Sequence, residues 1–77
     1  MNSPQCRAAR GLLAWTQDEL ARMAGVSIVT VRNFENEKTT PQRASLDVIR
    51  RAIESAGVEF IAENGGGPGV RLRKVQR

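Results

Sequence analysis

The sequence contains no histidine and no tyrosine, and Cys6 is its single cysteine. Without histidine it lacks the side chain that most often moves protons near neutral pH, and tyrosine, an occasional substitute, is missing too. One cysteine excludes an internal disulfide, and with no histidine beside it the usual zinc ligands are absent, so no metal and no cofactor is expected. Cys6 reads instead as a small packing residue. There is no run of about 18 apolar residues and no basic start followed by an apolar stretch, so no membrane contact is expected and the expected location is cytoplasmic. Charge of one sign is scarce where it would inform most. Over residues 1–63 eight basic and eight acidic side chains cancel, and the net +4 comes from Arg71, Arg73, Lys74 and Arg77 alone. Net charge therefore says little about nucleic acid, and any such argument must rest on local spacing.

What is present suits one small folded domain. Seventy-seven residues with 40% hydrophobic composition lie within the range of globular chains, although a domain this size buries only about 60% of its unfolded surface. Ser3-Pro4 predicts a helix start, with Ser3 as the capping hydroxyl, and a helix to about Leu13 burying Cys6, Ala9 and Leu13. Thr16-Gln17-Asp18-Glu19 fits a capping box and opens a second helix at Gln17, which Gly25 ends. Val26 follows as an apolar plug. Ser27 reads as the cap of a third helix, Ile28 to about Asn36, with Val31 and Phe34 inward. Residues 37–44 are polar, contain Pro41 and read as loop. Ser45 is expected to cap a fourth helix, amphipathic through Leu46, Ile49, Ala52, Ile53 and Ala56, which Gly57 stops.

Beyond Gly57 the period changes to two. Val58, Phe60 and Ala62 alternate with Glu59, Ile61 and Glu63, a loop of Asn64 and glycines follows, and Val70 and Leu72 alternate with Arg71 and Arg73: a β-hairpin pattern with acids facing arginines. Gly65-Gly66-Gly67 lies between strands rather than ahead of a helix, which makes it a hairpin loop and not a phosphate cradle. A lone hairpin is marginal in water, so this one must pack on the helices or join another chain. The expected architecture is mainly α, a four- to five-element helix-turn-helix bundle at 1–57, with a hairpin and basic tail at 58–77 as a possible dimerisation element.

Between Gln17 and Phe34 the requirements of two short helices meeting at a tight turn coincide. Ala21 is small enough for close helix approach, Gly25 accepts positive φ, and Leu20, Val26, Val31 and Phe34 plug the angle. Thr16-Gln17, Leu20-Ala21, Gly25-Val26-Ser27, Val31 and Phe34-Glu35-Asn36 together resemble the helix-turn-helix of the repressor/Cro (Xre) family, over roughly residues 4–57. Members often carry glycine where this chain has Glu37, and usually finish with a fifth helix where this chain has its hairpin; the run from Val58 to Leu72 resembles a tail on small rhizobial-type members.

The resemblance implies a transcriptional regulator, often a repressor, whose second motif helix enters the major groove. Carried over by position, Ser27, Ile28, Val29 and Asn33 become candidates for base readout. Asn33 suits adenine, Ile28 or Val29 suits thymine methyls, and Arg32 on the same outward side suits guanine or phosphate. Thr16 and Gln17, at a helix start with free N–H groups, are phosphate candidates, as are Asn36, Lys38 and Arg43 after the third helix. Arg10 and Glu35 are implied to form a structural ion pair. The plainer reading makes Arg32 and Asn33 solvated surface, and Ile28 and Val29 an apolar pair for a protein partner. The expected partners are double-stranded DNA and a second copy of the chain, in a homodimer on a palindromic operator. The alternative is an antitoxin or anti-activator, a protein-interaction module with auxiliary DNA binding. Neither reading is an enzyme.

Overall fold

The computed structural model describes residues 1–62 and 65–73. Four helices precede a hairpin: α1 Ser3–Leu13, α2 Gln17–Ala24, α3 Ile28–Glu35, α4 Arg43–Ser55, β1 Val58–Ile61 and β2 Gly69–Leu72. This is the mainly α bundle with a hairpin in place of a fifth helix that the sequence led us to expect. Glu63, Asn64 and the tail residues Lys74 and Arg77 lie outside the described residues. No described helix is long and apolar enough to cross a membrane.

Two helix starts differ from expectation. Asn2, not Ser3, caps α1: its side chain accepts from the Gln5 N–H (2.8 Å) while the Gln5 side chain accepts from the Asn2 N–H (2.9 Å). Either residue type can cap, but only Asn2 has a glutamine three positions on to complete the reciprocal box; the residue three beyond Ser3 is Cys6. Ser3 Oγ is left buried without a partner. Helix α4 starts at Arg43 rather than after Ser45, with Gln42 at the cap position and no side-chain cap bond. Arg43 and Ala44 are strong helix formers placed just beyond Pro41, so the helix gains a turn that the polar composition had suggested was loop.

Three helix ends share one device. After α1, α2 and α3 the residues Ala14, Gly25 and Glu37 have φ of +57°, +73° and +58°. In each case the next N–H reaches back five residues: Trp15 to the Arg10 carbonyl (2.9 Å), Val26 to Ala21 (3.0 Å), Lys38 to Asn33 (2.9 Å). This is the 6→1 bond of a Schellman motif, and only at Gly25 is the left-handed position filled by the residue that adopts it freely. Glu37 carries a Cβ there against a steric cost of about 1–2 kcal/mol, partly offset by the greater unfolded-state freedom of glycine. Glu37→Gly is therefore expected to raise stability by about 0.5–1 kcal/mol, read as a higher urea midpoint at unchanged slope; a lower midpoint would show that the Glu37 side chain contributes something the backbone geometry does not reveal.

Every element supplies the core except β2, which flanks it. Cys6 and Ala9 of α1, Leu20 and Ala21 of α2, Val31 and Phe34 of α3, Ile49 and Ile53 of α4 and Val58 of β1 are buried together. The two strands pair antiparallel within the chain, Val58 opposite Leu72 and Ile61 opposite Gly69. Gln5 ties α1 to the hairpin, its Nε2 donating to the carbonyls of Ile61 (3.2 Å) and Gly69 (3.0 Å). Across the outer face Glu59 meets Arg71 at 2.8 Å and Arg73 at 3.8 Å, the expected acid–arginine pairing. These pairs are exposed and contribute at most about 1 kcal/mol each, so burial of Val58 and the Gln5 bonds do more to seat the hairpin.

Candidate nucleic-acid interface

At 100° per residue, Val29, Arg32, Asn33 and Asn36 fall on one side of α3, and Val31, Phe34 and Glu35 on the other. Burial agrees. Val31 is fully buried, Phe34 and Glu35 nearly so, while Val29 is 54% exposed, Arg32 and Asn36 are exposed and Asn33 is half-buried. The outward stripe borders a shallow groove of about 260 Å³ between α3 and the start of α4, lined by Val29, Thr30, Asn33, Thr39, Gln42 and Ser45. Of the other readout candidates, Ser27 is exposed but engaged: its Oγ accepts from the Thr30 N–H (3.1 Å) and meets the Thr30 hydroxyl at 3.0 Å. Ile28 is half-buried and packs against the core. Thr30, which no local sequence signal singles out, lies three residues before Asn33 on the same flank of the groove.

The inner side of α3 is fastened through Glu35, which is 1% exposed. Its Oε1 accepts from Arg10 Nη2 (2.7 Å) and Gln17 Nε2 (3.0 Å), and its Oε2 from Arg10 Nε (2.7 Å) and the Cys6 thiol (3.3 Å). Arg10 also donates to the Trp15 carbonyl (3.0 Å), and Arg7 to the carbonyl of Glu35 itself. One carboxylate thus joins α1, α2 and the last turn of α3, so the outward stripe is held at a fixed attitude to the start of α2. The ion pair implied for Arg10 and Glu35 is present and bidentate.

The charges of this cluster follow from its contacts. Burial acts to raise the Glu35 carboxyl, but the hydrogen bonds from Arg10, Gln17 and Cys6, with the Arg10 charge, outweigh it and hold the group below the ordinary carboxylate value. The hydrogen bond to Glu35 holds Arg10 above its ordinary value, against burial. Burial, then the Glu35 charge and hydrogen bond, push the Cys6 thiol up to about 12. A group whose proton is held more tightly when folded stabilises the fold fully below its unfolded pKa, and that stabilisation fades as pH rises towards the folded value. For Cys6 the window runs from about 9 to about 12. Accordingly, the stability advantage of the intact chain over Cys6→Ala should shrink as pH rises above about 9, measured by urea unfolding at several alkaline pH values; a constant gap would mean that the thiol does not titrate with folding.

The phosphate candidates are less alike than the sequence suggested. Thr16 completes its capping box, its Oγ1 accepting from Glu19 N–H (3.0 Å) and its own N–H donating to Glu19 Oε1 (3.1 Å). Gln17 has its amide nitrogen on Glu35, so towards solvent it offers the backbone N–H of a helix first turn, which has no partner within the helix. Asn36 and Lys38 are exposed at the end of α3, and Arg43 is exposed in the first turn of α4, the helix start that no side chain caps. The short α2, the Gly25 turn and an α3 exposed along one side define a helix-turn-helix DNA-binding protein. A family model described as helix-turn-helix matches residues 7–58, and the chain belongs to that family, the Xre/Cro type of regulator. The family is one of DNA-binding domains and not an enzyme class. No curated protein matches the chain.

Proposed function

We propose that the chain binds a palindromic operator as a homodimer, one α3 in each of two successive major grooves, and acts as a repressor. The observation that carries this reading is the outward stripe of exposed Val29 and Arg32 and half-buried Asn33 on a helix locked from behind by Glu35. Asn33 can take adenine N6 and N7 together, Val29 can pack on a thymine methyl, and Arg32 can reach guanine or a phosphate. Thr30 flanks Asn33, while Ser27 and Ile28, committed to capping and packing, contribute at the edge of the contact. Phosphate contacts come from the first turn of α2 at Thr16 and Gln17 and, on the far side, from Asn36, Lys38 and Arg43. In this reading residues 1–57 read DNA and residues 58–77 serve assembly. Two copies are needed because one short helix buries too little surface for tight specific binding. Repression by occupancy needs nothing beyond that binding.

The test is selection from random duplexes followed by footprinting of the winners. The expected result is two A/T-leaning half-sites related by a dyad, centred about one helical turn (34–36 Å) apart. Failure to shift any duplex at low salt would overturn the DNA reading and return the protein-interaction alternative. Binding to all duplexes with equal affinity would overturn base readout alone.

A further inference from the structure

The antiparallel hairpin has a definite hydrogen-bond phase. The Arg73 N–H donates to the Gly57 carbonyl at 2.6 Å, so Gly57 and Arg73 are a hydrogen-bonded pair. With the register of Val58 opposite Leu72, the phase alternates: Glu59–Arg71 and Ile61–Gly69 are bonded pairs, and Val58–Leu72 and Phe60–Val70 are not. The N–H and C=O groups of Val70 and Leu72 therefore point away from β1, along the edge that no further strand covers, while α1 packs against β2. Towards the other edge, β1 packs beside α4, where Val58 is fully buried and Arg50 lies over the Phe60 ring at 5.4 Å. Leu72 is 53% exposed, far more than its cross-strand neighbour Val58. An open edge carrying an exposed leucine is a template for another strand.

The geometry points to β2 of a second copy as that strand, antiparallel, with the dyad passing through Arg71. This deepens the homodimer reading given above and rests on it. In this register Val70 faces the partner's Leu72 and Leu72 the partner's Val70, each pair exchanging two backbone bonds. The helix-facing rows become Val58, Leu72, Val70, Phe60 across four strands, apolar throughout. On the outer face the row through the dyad is Glu59, Arg71, Arg71, Glu59: each arginine already holds its own glutamate at 2.8 Å, so the row is neutral. Arg73 faces the partner's Gly69, which has no side chain to obstruct it, and its stem can cover the exposed Ile61 beyond. Neighbouring registers are worse. A slip one way sets Leu72 opposite Pro68, which has no N–H to give; a slip the other way sets Arg71 of each copy against Arg73 of the other, two arginine pairs face to face where the register through Arg71 has one.

The experiment uses the full chain in sedimentation equilibrium, with two variants and one control. Leu72→Pro removes an outward N–H and no bond within the hairpin, and is expected to weaken dimerisation at least tenfold while circular dichroism keeps the helical signal. Arg71→Cys puts two thiols across the dyad in a non-bonded pair, with Cα atoms about 4.5 Å apart, inside the disulfide range of about 4.4–6.8 Å. It is expected to oxidise to a covalent dimer whether or not the proline variant folds. Arg73→Cys, whose counterpart lies four residues along, about 13 Å away, is expected not to cross-link. A dimer that fails to cross-link through Arg71→Cys, or that cross-links through Arg73→Cys instead, overturns this inference and leaves the homodimer reading standing. A chain that stays monomeric at every concentration, free and on its selected duplex, overturns both.

Discussion

Glu35→Ala is expected to lower the unfolding free energy by about 3–5 kcal/mol, the range for removing one member of a buried ion pair. The loss is large because the carboxylate is 1% exposed and is the common acceptor of Arg10, Gln17 and Cys6. Alanine would leave the Arg10 guanidinium, only 19% exposed, facing a void with two of its donors unmatched. Small domains have about 5–15 kcal/mol in total, and a chain of 77 residues sits towards the lower end, so the variant should be largely unfolded on modest warming. Urea unfolding measures it. Arg10→Met with Glu35→Leu should cost much less than either single truncation, because the pair's main effect is to avoid a stranded charge. A loss under about 1 kcal/mol for Glu35→Ala would show that the helices are held by apolar packing alone. Acid gives an independent check. A carboxyl held below its ordinary value when folded stabilises above its unfolded pKa, near 4.3, and that contribution falls away as pH drops through the folded value. Glu35→Gln should therefore lose part of the acid dependence of the intact chain.

This cluster also shows where the sequence was readable. Local signals carried well: the box from Thr16 to Glu19 and the stop at Gly25 act over three to five residues, and the structure has both. The Arg10–Glu35 pair spans 25 positions, so no local pattern announces it, and only the family resemblance supplied it. Gln17 was legible as a residue at a helix start, but its turn towards Glu35 depends on where α3 ends in space. Asn2 and Ser3 are chemically equivalent as caps until the partner three residues on is considered. Ala14 gives no local sign of left-handed backbone, since alanine does not mark such a position, whereas at Glu37 the sign is the glycine that family members often carry there. The polar neighbours of Arg43 read as loop, but exposed first turns of helices are polar too, and Arg43 opens α4. On α3 the exposed stripe followed from the apolar phase of Val31 and Phe34. The same phase turns Ile28 inward, which its neighbour Val29 escapes.

Asn33→Ala should separate a reading helix from a merely basic one. A bidentate asparagine–adenine contact gives about 1–3 kcal/mol of discrimination, and a palindrome loses it twice, so the cognate operator should weaken by about 2–6 kcal/mol. A single half-site should lose about half as much. On a duplex whose adenine at that position is replaced, the variant and the intact chain should bind alike, because the contact is already gone. Lys38→Ala should behave differently: a phosphate contact has no sequence in it, so affinity should fall by a similar factor on every duplex and the salt slope should flatten by about one per contact removed. Asn33 is half-buried beside Thr30 and the start of α4, which limits the side-chain rotamers it must give up on binding. Lys38, exposed on the turn after α3, has no such restraint. Titration of both variants on cognate and substituted operators, at two salt concentrations, makes the comparison direct. If the two show the same loss on every sequence, then α3 lies along the phosphates and the Gly25 turn presents a charged surface instead of a reading head.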